Sequence, residues 1–414
     1  MLMPRHLAAL VDLPYVTAAG RVVTKPGYDP ETCLYLDTPR DREILVPDAP
    51  TPAQVRKAVA VMMAPWRAYA FTDKRSAAGM VSAVLAAVVR PGLDLSPAYL
   101  FDASQQGSGK TKAATALGAL MEGQRPAVTP FAGTSTDDEL RKRLLAGAVD
   151  GDRFQCIDNV TGHFKSSVLA AVVTGGKLSD RVLGQSRMVK AQVRSMMTLT
   201  GNNASVDADI QRRTVQVRID AGSRPTERDF PFCPVTEALA QRRSIAEAAC
   251  LILRAYFAAG APDIIRGDAG GFADWNRLCR QPVLWLAGEG LADSLPWQLG
   301  DPAASMLADA SASDPELEAT GDLLRALWEI TDGADFTAAE VVKWQRLGEG
   351  ASDDNHFALL RSAVLEIIGR HDVSARSMGR TLMNRRDRAV GGFKLLNRTA
   401  TRSLQHWRVV WAEG

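Results

Sequence analysis

"FDASQQGSGKTKAATALGAL" (101–120) is the stretch on which the reading of this chain turns. Its centre approaches the pattern G-x-x-x-x-G-K-[ST], with Ser104 standing where the pattern has its first glycine. Before it, "PAYLFD" (97–102) is a short apolar run that reads as a strand, and after it "KTKAATALGALME" has helical spacing. Strand, glycine-rich loop and helix in that order make a cradle for phosphate. Gly107 and Gly109 let backbone N–H groups come close, and the helix presents its N-terminus. Lys110 supplies an ammonium for the β- and γ-phosphates, and Thr111 a hydroxyl for Mg2+. Gln106, Ser108 and Lys112 complete the candidate nucleotide contacts. The first glycine only sets the turn into the loop, so Ser104 weighs less than Gly109, Lys110 and Thr111.

Downstream residues supply the other parts that an ATP-hydrolysing site needs. A second strand must end in a carboxylate that supports Mg2+, and "FQCIDNV" offers Asp158, 48 residues after Lys110. Asn159 follows, where many ATPases of this kind carry a glutamate; an amide orients water but cannot take its proton. "MMTLTGNN" reads as a further strand ending at Asn202 and Asn203, one of which would reach the γ-phosphate and the attacking water. "DADIQRRTVQVRID" offers Arg212 and Arg213, either of which would act on a neighbour's ATP as an arginine finger. Arg242 and Arg243 open the next helix and would fold over the phosphates from a lid.

The bulk of the chain sets the frame. At 414 residues it is too long for one core, and about two to four domains are expected. No apolar run reaches the ~18 residues of a membrane span. Asp12 interrupts the short apolar stretch at the N-terminus, so no cleaved signal is expected. The five cysteines are scattered without a C-x-x-C pair, which fits reduced thiols in the cytoplasm better than disulfides or zinc. The formal charge is only +2, but residues 370–408 hold ten basic residues against two acidic ones. Such asymmetry points that end at a polyanion.

Residues 1–50 read as a small β-rich segment, with a hairpin turning at P-G-Y-D-P (26–30). Residues 51–95 follow as two helices, each opened by a Ser or Thr cap. Strands and helices then alternate, so 96–230 is expected to be an α/β core with a parallel sheet and flanking helices. Within it, "DRVLGQSRMVKAQVR" (180–194) reads as a hairpin with "GQS" near its tip. Residues 231–318 read as a helical lid or extension. Helices plus a terminal hairpin over 319–414 spell a winged helix. Arg376, Arg380, Arg385, Arg386 and Arg388 fall on or just after its recognition helix, and Lys394, Arg398 and Arg402 in its wing. The tryptophans sit mostly in apolar contexts and read as core residues.

S-x-x-G-S-G-K-T, "IDNVTG", "DRVLGQS", "LTGNN" and "DIQRR", in that order, resemble the AAA+ ATPase core of phage and integrative-element replication proteins. That core is similar to superfamily 3 helicases and, more distantly, to MCM helicases; the likeness covers roughly residues 75–230. "PGYDPET" and "SARSMGRTLMNRRDRAVGGFKL" also look like segments of such proteins. The resemblance implies a homo-oligomeric ring, a hexamer, with ATP and Mg2+ between subunits and DNA through the centre. It makes the 180–194 hairpin a channel loop on which Arg181, Arg187 and Lys190 track phosphates of single-stranded DNA. A duplex or fork would meet the winged helix, and any primase is expected to be a separate protein. Two other readings stay open: a DNA-binding loader or regulator that hydrolyses ATP without unwinding, and a non-hydrolysing DNA-binding scaffold.

Overall fold

The computed structural model describes residues 6–39, 44, 46–103, 107–131, 136–160, 163–181, 188–220, 231–267, 269–308, 315–348, 355–368, 373–387, 389–398 and 405–412. They fall into two compact units, Met1–Ala308 and Asp309–Gly414, each with its own hydrophobic core.

Five short strands open the first unit: β1 (Ala9–Val11), β2 (Tyr15–Val16), β3 (Val22–Val23), β4 (Gly27–Asp29) and β5 (Leu34–Leu36). β4 and β5 form an antiparallel hairpin, β1 lies parallel on the far edge of β5, and β2 pairs with β3. The chain reverses at 30–33 and not at 26–30, because Gly27–Asp29 is itself a strand. Thr32 Oγ1 donates to Asp29 Oδ2 at 2.7 Å, and Cys33 takes φ 57°, which carries the turn past the prolines.

α1 (Pro52–Met62) starts with a Thr51–Gln54 capping box. α2 (Lys74–Val89) is buried along nearly its whole length, and its cap is Asp73 in place of the expected Ser or Thr. The Asp73 carboxylate accepts the Ser76 N–H at 2.7 Å, so the helix begins earlier than its apolar stretch.

The core follows as β6 (Ala98–Ala103), α3 (Lys110–Glu122), β7 (Thr129–Pro130), α4 (Asp137–Asp150), β8 (Phe154–Val160), β9 (His163–Phe164), α5 (Ser167–Gly175), β10 (Lys177–Arg181), β11 (Met188–Gln192), β12 (Met196–Asn202), β13 (Ser205–Val206), α6 (Ala208–Gln211) and β14 (Thr214–Ile219). Five of these strands form one parallel sheet in the order β14-β6-β12-β8-β7, flanked by helices. This is an α/β core built on one parallel sheet. β6 is buried throughout, as a central strand covered on both faces must be. α3 lies so close to β8 that a Cβ on Gly118 would fall 2.5 Å from the Phe154 ring. β10 and β11 pair antiparallel from Lys177↔Gln192 to Arg181↔Met188, giving the expected hairpin, whose tip lies outside the described residues.

α7 (Pro234–Ala240), α8 (Arg242–Ala258), α9 (Ala273–Trp275), α10 (Gln281–Gly288) and α11 (Ala304–Leu307) complete the unit, with a π-helical turn at Asn276–Arg280 before α10. Trp275 Nε1 donates to the Tyr99 hydroxyl at 2.8 Å, which ties this helical part to β6. Among the described residues no helix is long and apolar enough to cross a membrane.

The second unit contains α12 (Pro315–Thr331), β15 (Phe336–Thr337), α13 (Ala338–Leu347), α14 (His356–Ile368), α15 (Ala375–Arg385), β16 (Ala389–Val390), β17 (Phe393–Asn397) and β18 (His406–Trp411). Its four strands pair antiparallel in the order β15-β18-β17-β16. Leu323, Leu327, Leu360, Met378, Leu382 and Trp407 share its core. Trp411 departs from the expectation of a core residue: it is 60% exposed at the end of β18, with its ring 4.5 Å from that of Phe393.

Candidate functional site

In a parallel sheet all strands end at one edge, and loops leaving that edge are where ligands bind. Here the ends of β6, β12 and β8 lie side by side, carrying the glycine-rich loop, Asn202 and Asp158 respectively. Gly107 and Gly109 take φ 78° and 84°, a region that favours glycine, and Gly109 caps α3. Two side chains from α1's neighbourhood brace the first turn of α3. The Tyr69 hydroxyl donates to the Gly109 carbonyl and Trp66 Nε1 to the Ala113 carbonyl, both at 3.0 Å.

Lys110 is only 8% exposed, and its Nζ donates to Asn202 Oδ1 at 2.7 Å. Burial holds its pKa below the ordinary lysine value, against the opposing pull of Asp158 and Asp102. An ammonium so desolvated gains more from an incoming anion than one in water. Thr111 Oγ1 donates to Asp158 Oδ1 at 2.9 Å, and the buried Thr200 hydroxyl donates to the same oxygen. Thr200 Oγ1 also accepts the Asn159 N–H at 3.1 Å. The β8–β12 register shifts between Leu199 and Gly201, and Asn159 takes φ 63° within that irregularity.

These residues fit phosphate with a divalent ion. Ser108 Oγ is buried with no hydrogen-bond partner, at a loop position where a phosphate oxygen would meet it. Mg2+ is held through one or two carboxylates together with the substrate's own phosphates, so Thr111 and Asp158 suffice.

Lys110, Thr111, Asp158, Asn159 and Asn202 therefore come together, beside Gly107, Ser108 and Gly109. Lys112 lies on the exposed side of the first turn of α3, and Gln106 lies outside the described residues. Of the two adjacent asparagines, Asn202 faces Lys110, while Asn203 accepts from Arg218 Nη2 at 2.8 Å. Arg212 is 61% exposed and Arg213 15%; both engage Asp209. Arg242 is not a lid residue. It donates to the Leu120 and Met121 carbonyls at 2.8 and 3.1 Å, at the end of α3 opposite the phosphate loop. Arg243 bonds Glu247 along α8.

Arg181 closes β10 and Arg187 lies outside the described residues, whereas Lys190 is exposed on β11. Lys177, Ser179, Lys190 and Gln192 share the open face of that hairpin. On α15, Arg376 and Arg380 are exposed one turn apart, and Arg386 is exposed just beyond the helix. Arg385 differs from the expectation of a polyanion contact: it is buried, and its Nε donates to Thr320 Oγ1 of α12 at 3.1 Å. Its position on α15 falls with Met378 and Leu382, on the core side.

Thr200 and Asp102 were missed in the sequence. Thr200 passes there as one more β-branched residue of a strand, and Asp102 as the polar end of another. The available signal was a hydroxyl and a carboxylate inside otherwise apolar central strands, where each needs a partner.

No family model matches this chain, and no curated protein matches it. Solved structures similar to it include JCV helicase, at 16% identity and a TM-score of 0.29, covering 60% of this chain and 66% of that one. The chain thus spans just under two thirds of that helicase. The NrS-1 C-terminal region is similar at 13% identity and a TM-score of 0.37, covering 94% of this chain and 79% of that one.

Proposed function

We propose that this chain is an ATP-dependent DNA helicase or translocase that works as a homo-oligomeric ring, a hexamer, in the cytoplasmic replication of a phage or other mobile element. The observation that carries the reading is the meeting of Lys110 with Asn202, and of Thr111 with Asp158, at the carboxyl edge of one parallel sheet. In this reading residues 96–230 are an AAA+ core. Lys110 and the loop amides grip the phosphates, and Thr111 and Asp158 would hold Mg2+. Such an ion would supply positive charge against the negative charge that develops on the phosphates. Asn202 and Asn159 orient the attacking water, and neither amide can take its proton. Arg212, the more exposed of its pair, reaches the neighbouring subunit's ATP as the finger.

Lys190, exposed on the hairpin, supports a contact with single-stranded DNA in which Arg181 and Arg187 would share. Residues 319–414 are read as a winged helix, in which Arg376, Arg380 and Arg386 meet duplex phosphates from α15. A primase, where one is needed, acts as a separate protein. Asn159 favours one second reading, a loader or regulator whose slow hydrolysis drives no unwinding.

Strand-separation and ATPase assays with a Lys110→Ala control test the proposal. The expected result is ATP-dependent unwinding that the variant lacks. DNA-stimulated hydrolysis without unwinding selects the loader, and unwinding that survives in the variant rejects the site.

A further inference from the structure

Asp102 is the penultimate residue of β6, a strand buried along its whole length, and it is itself only 6% exposed. A carboxylate in that place requires partners. The strand register sets it opposite Gly201 of β12 on one side and Arg218 of β14 on the other. Its Oδ1 accepts the Ala204 N–H at 3.1 Å, and Arg218 Nε lies 3.7 Å from its Oδ2. The same guanidinium donates through Nη2 to Asn203 Oδ1 at 2.8 Å. Asn203 in turn donates its N–H to the Ala103 carbonyl at 3.1 Å.

The turn over 201–204 is thus fastened to the adjacent strand β6 and, through Arg218, to β14 beyond it. It is also sterically tight. A Cβ on Gly201 would lie 2.4 Å from Ala204 Cβ and 3.0 Å from the Val160 carbonyl, and Asn203 takes φ 47°. Asn202, the last residue of β12, lies within this turn, and its Oδ1 accepts from Lys110 Nζ. Asp102 also adds to the negative potential at Lys110.

We propose that Asp102, together with Arg218, is the positioning device that clamps the 201–204 turn and thereby sets Asn202 against Lys110. Neither residue touches a reacting atom; both act through Asn202. The catalytic half of this inference rests on the ATPase reading, whereas the clamp itself does not.

The test has two arms. Hydrogen exchange on the nucleotide-free full chain follows the peptide carrying the Asn203 and Ala204 amides. Asp102→Ala is expected to speed exchange there by about tenfold or more, while the rest of the core stays protected. Unchanged exchange in that peptide overturns the clamp, whether or not the chain hydrolyses ATP. Steady-state ATPase kinetics form the second arm. The variant should lose about 10- to 100-fold in kcat, with KM for ATP within about twofold of wild type. Asp102→Ala combined with Asn202→Ala should be no slower than Asn202→Ala alone; additive losses overturn the route through Asn202. Should Asp102→Ala fail to fold, Arg218→Ala serves, since that side chain is 49% exposed. Unchanged exchange and kcat in that variant equally overturn the pairing. A wild type that turns over ATP no faster than Lys110→Ala removes the ATPase reading and leaves the exchange arm to decide the clamp.

Discussion

Asn159 holds φ 63°, a left-handed conformation that asparagine tolerates and that costs other non-glycine residues about 1–2 kcal/mol. The missing glutamate is therefore tied to the backbone: the β8–β12 irregularity gives this position a shape that a glutamate resists. Asn159→Glu is expected to lower unfolding free energy by about 1 kcal/mol in denaturant melts and to leave ATP turnover no faster than wild type. Asn159→Gly should stay within about 0.5 kcal/mol. A faster, equally stable glutamate variant would refute this account. The sequence made the substitution visible but not its cause, because φ at 159 depends on how β8 registers with a strand some 40 residues later. Thr200 was hidden for the same reason. Its role as the hydroxyl joining Asp158 to the Asn159 amide exists only once those two strands are neighbours.

α3 is held at both ends by groups of opposite character. Its N-terminus faces the phosphate loop, and its last carbonyls accept from Arg242 and Arg153, as the negative end of a helix dipole favours. Asp12 of the N-terminal segment joins the two arginines, with Arg242 Nη1 at 3.0 Å. Burial alone would raise the Asp12 pKa, but hydrogen bonds from Arg242 and Arg153 outweigh it and hold the carboxyl below its ordinary value of 3.8. A folded pKa below the unfolded one stabilises above about pH 4 and loses that stabilisation as pH falls through the folded value. Asp12→Asn should therefore melt earlier than wild type at pH 7, and the gap should narrow toward about pH 3. A gap that persists unchanged in acid would assign the effect to packing. The phosphate loop and its helix were legible because their signal is local and ordered. Arg242 was misplaced because its position at the start of α8 does not reveal which end of α3 it meets, 122 residues earlier in the chain.

At the scale of the whole molecule, two compact units with separate cores make a clean division of labour testable. Removing residues 309–414 should leave ATP turnover by the first unit intact. It should also reduce the slope of log K for DNA against log salt by about 3, one for each exposed arginine at 376, 380 and 386. An unchanged slope would move the DNA contacts to the first unit. The basic run was plain in the sequence, yet counting charges overstated it, since Arg385 is spent internally on Thr320. The contact of Gly118 with Phe154 carries a mechanical consequence. Gly118 stands eight residues from Lys110, ~12 Å along α3, and Phe154 four residues from Asp158, ~13 Å along β8. The contact is a fulcrum with arms of nearly equal length. A side chain at 118 would press helix from strand at that point, so the placing of Lys110 relative to Asp158 depends on an absent methyl group.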